Sequence, residues 1–402
     1  MWNTYTKNKK QKEMEAAAAA AQQQQQEEAD ALALEEQNTL TLLAAGDNMF
    51  YDRILTSGSK NNWNFDFLYS RIAEDIQAAD FAITSQGSVF TSDHNSVSGY
   101  PLFAAPTEAA DAQAAAGFDA ILHASSLTFA FGESGVLNTL EFWKQNHPEI
   151  YPLGIHASQT DADTVAVAEV KNFKISMLNM CQEFSSSGFT SENSYLIDVL
   201  SRARVTALVS KAKKEGNLVV FFLNAGTAGT EEPDEAMQEW VEFLVDEGVD
   251  IIIGSGSHVV QSYEMLENDD GHKTLVYYSL GNLVSTQESV SGLLGGMAQI
   301  TVKRSEVTHE VYVEDYTMLP TVMHYNEKKD NFQVYPLDEY TSELAEEHDI
   351  HQYSDEEFTL SSIRTRFREL SAKITEQAPE SSADSMQEEN AEPEAKSDSA
   401  AE

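Results

Sequence analysis

Residues 249–259 read VDIIIGSGSHV, an apolar run that ends in glycine, serine and a single histidine, His258. A short apolar run bounded by glycines predicts a β-strand. The preceding stretch, EAMQEWVEFLVDEG (235–248), has the spacing of an amphipathic helix and ends at Gly248, a residue type that often terminates helices. A helix that leads into an apolar strand is typical of α/β proteins, so this segment indicates the fold class.

The same alternation of apolar runs and amphipathic stretches continues in both directions along the chain. Strands are predicted for TLTLLAAGD (39–47), DFAITSQ (80–86), FDAILHAS (118–125), TVAVAEV (164–170), FKISMLN (173–179), LVVFFLNAG (218–226) and TLVYYSLGN (274–282). Helices are predicted for FDFLYSRIAEDIQAA (65–79), GVLNTLEFWKQN (135–146) and YLIDVLSRARVTALVSKAKKEG (195–216). After Gly296, MAQITVKR and THEVYVEDYTMLPTVMHY alternate apolar and polar residues, which predicts a closing antiparallel ribbon. The sequence therefore predicts an α/β domain.

Composition excludes several classes of function. The chain has 402 residues, of which 42% are hydrophobic, enough for a substantial core. It carries 25 Lys and Arg against 66 Asp and Glu, a formal net charge of -41, which argues against nucleic-acid binding because that function relies on a basic surface. The single cysteine, Cys181, excludes an intrachain disulfide and a cysteine-rich zinc site. No apolar run is long enough to predict a membrane span, and no export signal or anchor is visible in this chain.

The composition also divides the chain into four segments. Residues 1–38 are rich in alanine and glutamine and predict a polar stalk or linker. The α/β domain is predicted for 39–345 and a C-terminal helical extension for 346–375. Residues 376–402 are acidic and cannot bury enough apolar surface to offset the entropy of ordering, so this tail is predicted to be disordered.

Ligands of open α/β sheets gather at the carboxyl ends of strands, so the residues that follow each apolar run are the candidate site. These residues are Gly46-Asp47, Ser85-Gln86-Gly87, Ala124-Ser125-Ser126, Asn224-Ala225-Gly226, Gly254 to His258 and Gly281-Asn282. A two-metal phosphoesterase needs several carboxylates and imidazoles here, because two divalent ions must be held about 4 Å apart. Asp47 and His258 are the strong metal-ligand candidates, with Asn224 as a weaker one. In the structural alternative, Asp47 and His258 cap turns or helices, and Gly281-Asn282 forms a tight turn.

Several blocks of the sequence resemble those of a known family. LLAAGDNMFYDRIL (42–55) resembles an opening strand with Gly-Asp followed by arginine, here Gly46, Asp47 and Arg53. VDEGVDIIIGSGSHVVQSYEML (245–266) resembles a Gly-His-His-Pro-His-Val block, and TLVYYSLGNLV (274–284) is similar to a block with Tyr-Ser-Leu-Gly-Asn. From about Leu40 to Ser285 the chain resembles the CapA family of capsule and poly-γ-glutamate synthesis proteins. The resemblance implies a four-layer α/β/β/α sandwich of the calcineurin-like metallophosphatase type.

Most metal-ligand positions of that family are occupied here by other residues. In the Asn-x-Glu block, the asparagine is replaced by Ser85 and the glutamate by Gly87, and in the Asn-Asn-His block the two asparagines are replaced by Ser125 and Ser126. The histidine of His-Trp-Gly is replaced by Asn224, and the first two histidines of Gly-His-His-Pro-His are replaced by Ser255 and Gly256. Serine and glycine cannot replace an imidazole or a carboxylate at a divalent ion. The departures therefore imply a pseudoenzyme of the metallophosphatase fold without a cofactor. The alternative is a single Mn or Zn ion held by Asp47 and His258.

The resemblance implies a role in capsule or poly-γ-glutamate biosynthesis or export at the extracellular face of the bacterial membrane. With its ligands replaced, the protein is expected to be a non-catalytic scaffold or polymer-handling component. Its expected partners are an anionic polymer or capsule-synthesis proteins. One predicted helix carries five basic residues, which form either a solvated face or a track for such a polymer: Arg202, Arg204, Lys211, Lys213 and Lys214. Two alternatives remain open, a divergent metal-dependent phosphoesterase that uses Asp47 and His258, and a structural surface domain without a ligand.

Overall fold

The computed structural model describes residues 2–182, 184 and 186–372, so the predicted acidic tail lies outside the described residues. The strands are β1 (Thr39–Asn48), β2 (Phe81–Ser85), β3 (Val89–Thr91), β4 (Ala104–Pro106), β5 (Ala120–Leu122), β6 (Tyr151–Leu153), β7 (Ala166–Val170), β8 (Phe173–Cys181), β9 (Leu218–Asn224), β10 (Ile251–Ser255), β11 (Tyr263–Glu267), β12 (Lys273–Tyr277), β13 (Asn282–Val284), β14 (Leu294–Arg304), β15 (Val311–Asn326) and β16 (Asn331–Pro336). The helices are α1 (Trp2–Gln37), α2 (Asp52–Lys60), α3 (Ala73–Ala78), α4 (Thr107–Ala116), α5 (Gly132–Asn146), α6 (Gln159–Ala162), α7 (Arg202–Glu215), α8 (Glu235–Asp246), α9 (Ser342–Glu347) and α10 (Leu360–Leu370).

Most strands belong to two mixed sheets. The first has the order β16-β15-β14-β1-β2-β5-β6, and β13 also pairs with β1. Its strands β1, β2, β5 and β6 run parallel, whereas β14, β15 and β16 form the predicted antiparallel ribbon. The second sheet has the order β11-β12-β10-β9-β8-β7, with a parallel centre and an antiparallel strand at each edge. The carboxyl ends of β1, β2, β9 and β10 carry the candidate site.

The second sheet is covered on both faces. Along β9, Leu218, Val220 and Phe222 pack into the large core that also contains the strands of the first sheet. The intervening Val219, Phe221 and Leu223 pack into a separate cluster with residues of α7 and α8. This alternation follows from the two-residue period of a strand. The first sheet packs in turn against α2, α3 and α4, which contribute Ile54, Ile76 and Ala109 to the large core. The predicted four-layer α/β/β/α sandwich is therefore confirmed.

Two predicted helices are shorter in the structure. The segment 195–216 is α-helical only from Arg202, after a 3₁₀ turn at 194–196, and Ser201 caps the helix by accepting a hydrogen bond from the Arg204 N–H at 3.4 Å. Upstream of that cap, Ile197 and Val199 form β-bridges instead, in line with the preference of β-branched residues for extended backbone. The predicted helix 65–79 is likewise divided into a 3₁₀ turn at 66–68 and the short helix α3.

Helix α1 is long and polar. Its side chains from Ala21 to Gln37 are exposed, and near its end Glu35 lies 3.7 Å from the Lys303 ammonium group. Among the described residues, no helix combines the length and apolar character that crossing a bilayer requires. The division of the chain into stalk, domain, extension and tail stays a prediction.

Candidate functional site

Close backbone packing brings three of the predicted strand ends together. In the pairing of β1 with its neighbours, Asp47 lies opposite Ser85 on one side and Asn282 on the other. A Cβ atom at Gly46 would lie 2.3 Å from the Gly281 carbonyl oxygen, so only glycine permits this approach. Gly281 itself has φ 64°, a left-handed conformation that also favours glycine. The two glycines therefore set the position of Asp47 beside the loop that precedes β13.

Asp47 and His258 contact each other directly. The His258 Nδ1 lies 2.9 Å from the Asp47 Oδ2, and the two side chains are 22% and 3% exposed. His258 has φ 59°, a left-handed conformation in which histidine is enriched among non-glycine residues. Burial lowers the pKa of His258, but the nearby Asp47 carboxylate and, to a smaller extent, Asn282 raise it, and the net pKa is above its ordinary value. The Asp47 carboxylate thus favours the protonated form of His258, which carries a positive charge.

The polar groups around this pair are buried but only partly satisfied. The Nδ1–Oδ2 distance is that of an ion pair, yet both Asp47 carboxylate oxygens and His258 Nδ1 make no hydrogen bond among the described residues. The Asn282 Oδ1 is unpartnered in the same sense, whereas the Asn282 amide group donates to the His258 carbonyl oxygen at 3.1 Å. Buried polar atoms without partners are uncommon and often indicate a functional site.

These residues do not fit a two-metal centre. Two divalent ions require several carboxylates and imidazoles that converge on common points. Within the described part of the chain, no group of three or more His, Cys, Asp or Glu side chains is placed to hold a metal ion. Asp47 is the carboxylate at this point, and the His258 Nδ1 lies 2.9 Å from its Oδ2. One carboxylate and one imidazole are fewer ligands than two divalent ions require.

Two further predicted site residues, Ser125 and Ser85, are hydrogen-bonded within the protein. Ser125 donates a hydrogen bond to the Gly87 carbonyl oxygen and accepts one from the Leu127 N–H at 3.1 Å, so it stabilises its own turn. Ser126 is exposed. The Ser85 carbonyl oxygen accepts a hydrogen bond from the Asn48 side chain at 2.9 Å.

Asn224 and Ser255 lie side by side at the ends of β9 and β10, where the Asn224 amide donates to the Ser255 hydroxyl at 3.0 Å. Within the described residues, neither side chain is hydrogen-bonded to Asp47. Gly254 is required for packing, because a Cβ atom there would lie 2.0 Å from the Tyr278 carbonyl oxygen. The β9 and β10 ends thus pair with each other and add no charged ligand.

Arg53, which follows the Gly-Asp motif, connects surface segments. It forms ion pairs with Glu288 at 2.9 Å and Glu327 at 3.0 Å, and its guanidinium group lies 4.0 Å from the centre of the Tyr353 ring. Its amino group also donates to the Thr286 carbonyl oxygen at 3.3 Å. Arg53 therefore holds the loop after β13 against the C-terminal segment.

Two other histidines, His123 and His156, are engaged elsewhere. His123 is fully buried, donates from Nδ1 to the Ser88 carbonyl oxygen at 3.2 Å and accepts at Nε2 from the Trp143 indole at 3.0 Å. Burial lowers the pKa of His123 to about 4, so it is a neutral core histidine. The His156 Nε2 lies 2.6 Å from Asp198.

Most basic residues of the predicted polymer track have partners within the protein. Arg204 bonds the Asp198 carboxylate at 2.7 Å, and Lys211 donates to the Asp163 carbonyl oxygen at 2.7 Å. Lys213 donates to a backbone carbonyl oxygen at the end of α8, and Arg202 lies over aromatic rings of that helix. Less positive charge is therefore free on α7 than its sequence indicates.

Sequence reasoning missed Gln287. Its side-chain oxygen accepts a hydrogen bond from the Asn282 amide group at 3.3 Å, which places it in the partly satisfied polar cluster. Gln287 lies in an irregular loop after the strand predicted for 274–282, where no periodicity marks a residue as inward-facing.

The chain belongs to the bacterial capsule synthesis protein family PGA_cap, whose family model matches residues 41–287. The family resemblance found in the sequence is thereby confirmed. The chain is 23% identical over 265 residues to the capsule biosynthesis protein CapA of Bacillus anthracis, a match that covers 63% of this chain and 61% of that protein. It is 27% identical over 173 residues to the PGA biosynthesis protein CapA of Bacillus subtilis strain 168, which covers 42% of this chain and 43% of that protein. The chain thus matches less than two thirds of the length of either relative.

Among solved structures, the chain is similar to a phosphatase from Mycoplasma pneumoniae. The likeness has a TM-score of 0.42 and 13% identity and covers 71% of this chain and 94% of that chain. This degree of similarity supports no statement about activity.

Proposed function

We propose that this protein is a non-catalytic component of capsule or poly-γ-glutamate biosynthesis or export in a bacterium. Family membership supports the process. The observation that supports a non-catalytic role is the direct contact between His258 and Asp47 at 2.9 Å, at strand ends where serine, glycine and asparagine stand at most of the family's ligand positions. Asp47 raises the pKa of His258, and the protonated imidazole would repel a divalent cation, so the site favours an ion pair over metal chemistry.

In this proposal the protein is a scaffold or polymer-handling component at the extracellular face of the membrane. Helix α1 supports a spacing role, because its 36 residues at about 1.5 Å per residue extend roughly 54 Å. Capsule-synthesis proteins and the polymer are the proposed partners. The internal pairing of Arg204 and Lys211 argues against a long anionic track on α7.

The test is a complementation experiment in the organism that encodes the chain. The gene is deleted and replaced by the wild-type gene or by an Asp47→Asn/His258→Asn double variant, and polymer on the cell surface is quantified with an antibody. We expect the double variant to restore surface polymer to the wild-type level. A variant that is folded and abundant, yet leaves the cells as bare as the deletion strain, would contradict the non-catalytic role. No polymer defect in the deletion strain would favour a structural surface domain.

One observation favours a second candidate, a divergent metal-dependent phosphoesterase. The Asp47 carboxylate oxygens and the Asn282 Oδ1 are buried and have no hydrogen-bond partner in the described part of the chain, and oxygen atoms of this kind are ligands for hard cations. This candidate requires His258 to release Asp47 when a metal binds. Hydrolysis of p-nitrophenyl phosphate that depends on added Mn²⁺ or Zn²⁺ and is lost in Asp47→Asn would establish it. Absence of such hydrolysis under both metals would remove it.

A further inference from the structure

A groove on the surface runs between α5 and the segment formed by β3 and the loop after it. Its volume is about 580 Å³, within the range of ligand-binding pockets. The half-buried rings of Phe131 and Phe142 line it together with the amide side chains of Asn138, Gln145 and Asn146 and the hydroxyl of Ser92. The groove shares no lining residue with the Asp47–His258 site. We infer that this groove binds a neutral glycan chain.

The groove is fixed by its packing. The residues of α5 that line it recur every three or four positions, so they form one face of the helix. Thr139 on the same helix accepts a hydrogen bond from the Phe90 N–H at 2.9 Å, which joins α5 to β3. Gly135 of α5 also packs near β3, because a Cβ atom there would lie at contact distance, 3.5 Å, from a Val89 methyl group. The two walls are therefore held at a set distance before any ligand binds.

The charge of the groove excludes an anionic ligand. Its lining contains two acidic residues, Asp93 and Glu141, and no lysine or arginine. Both carboxylates are occupied by local hydrogen bonds, Asp93 by the Asn95 backbone at 3.0 Å and Glu141 by the Gln145 amide. The chain as a whole carries a formal charge of -41. A polyanion would meet repulsion here without a compensating cation, so a neutral ligand is favoured.

The polar groups match the hydroxyl groups of a sugar. The Asn138 amide makes no hydrogen bond with the described part of the chain, so its two donors and its acceptor are free for a ligand. Aromatic rings provide flat apolar surfaces for the C–H faces of sugar rings. From Ser134 to Gln145 the helix advances about 16 Å, at about 1.5 Å per residue, which suits several linked sugars better than one. The inference rests on the proposed polymer-handling function and adds a ligand class to it.

The test is isothermal titration calorimetry of the full chain with maltohexaose, cellohexaose, tetra-N-acetylchitotetraose and a galactose tetrasaccharide, with short poly-γ-glutamate as the anionic comparison. We expect at least one neutral oligosaccharide to bind. An Asn138→Ala/Gln145→Ala double variant should weaken that binding about tenfold, because it removes the Asn138 amide and the Gln145 donor and acceptor that the bond to Glu141 leaves over. The matched control is Lys144→Ala on the same helix, outside the groove lining, which should change affinity by less than about twofold.

Three results would overturn the inference. The first is that no neutral oligosaccharide of the panel binds at about 10 mM. The second is that binding occurs but is equal in wild type and the Asn138→Ala/Gln145→Ala variant. The third is that poly-γ-glutamate binds and is the ligand lost in that variant. None of these depends on the cell-surface experiment, so failure of the groove and failure of the proposed function are distinguishable.

Discussion

Replacing either partner of the Asp47–His258 pair should destabilise the protein by unequal amounts. His258→Asn removes the positive charge but retains a residue type that tolerates the left-handed backbone at φ 59°. It leaves the Asp47 carboxylate, which is 3% exposed, without a counter-charge. Leaving a buried charge unpaired costs about 3–5 kcal/mol, so we expect His258→Asn to lower the free energy of unfolding by about 3 kcal/mol.

Asp47→Asn should cost less, about 1 kcal/mol, because His258 is partly exposed and can lose its proton when the carboxylate is gone. In the Asp47→Asn background the buried carboxylate that faces His258 is gone, so His258→Asn should cost only about 1 kcal/mol more. The predicted coupling between the two substitutions is therefore about 2 kcal/mol.

The assay is urea unfolding at pH 7 of wild type, both single variants and the double variant, each in the presence of a metal chelator. A coupling near zero would refute the ion pair. A His258→Asn variant that is as stable as wild type would also refute the ion pair, because two ligands of an empty metal site do not stabilise each other. Equal unfolding slopes across the four proteins would show that the same surface is exposed in each.

Three further changes have defined outcomes. Burial lowers the pKa of His123 to about 4, so as pH falls below about 6.5 the unfolded chain takes up a proton before the folded protein does, and the stability that this residue contributes declines toward pH 4. His123→Gln should therefore reduce the pH slope of the unfolding free energy, measured in urea, by up to about 1.4 kcal/mol per pH unit. An unchanged slope would contradict the assignment of His123 as a neutral core histidine. Gly254→Ala should lower the free energy of unfolding by about 1–3 kcal/mol, because its Cβ would lie 2.0 Å from a carbonyl oxygen. Gly87→Ala is the control and should be tolerated, because its Cβ would lie 3.4 Å from the nearest side-chain atom. Equal melting temperatures of the two variants would show that the backbone at Gly254 shifts to accept the methyl group. Arg53→Lys should lower the melting temperature by a few degrees, because lysine cannot bond two carboxylates and stack on a tyrosine ring at the same time. The measurement is differential scanning calorimetry, and an unchanged melting temperature would show that these contacts contribute nothing to stability.

The fold was predictable because its buried strands are apolar runs with clear ends. The run VDIII before His258 and the run LVVFF before Asn224 lie in neighbouring strands of one sheet, as the sequence indicated. The helix predicted from Tyr195 began late because its first residues, including Ile197 and Val199, pair with neighbouring strands. Such pairing depends on which segments meet in space, and local periodicity contains no information about it.

The candidate site was predictable in its residues but not in its contacts. Gly-Asp and Gly-Ser-His at strand ends marked Asp47 and His258, and the structure brings them together. The two side chains contact each other and do not point together at a metal position. This arrangement depends on the close approach of Gly46 to Gly281 and on the left-handed backbone of His258. The groove beside α5 was not predicted from the sequence. Its second wall is β3, a strand of three residues that is too short to show a hydrophobic period.

The most direct test of the central claim, that the Asp47–His258 site holds an ion pair and not a metal centre, is the metal content of the purified protein. The chain is equilibrated with Mn²⁺ and Zn²⁺, separated from free ions by desalting and analysed by inductively coupled plasma mass spectrometry beside the Asp47→Asn/His258→Asn variant. We predict far less than one metal per chain in both proteins. One or two metals per wild-type chain, absent from the double variant, would contradict the claim.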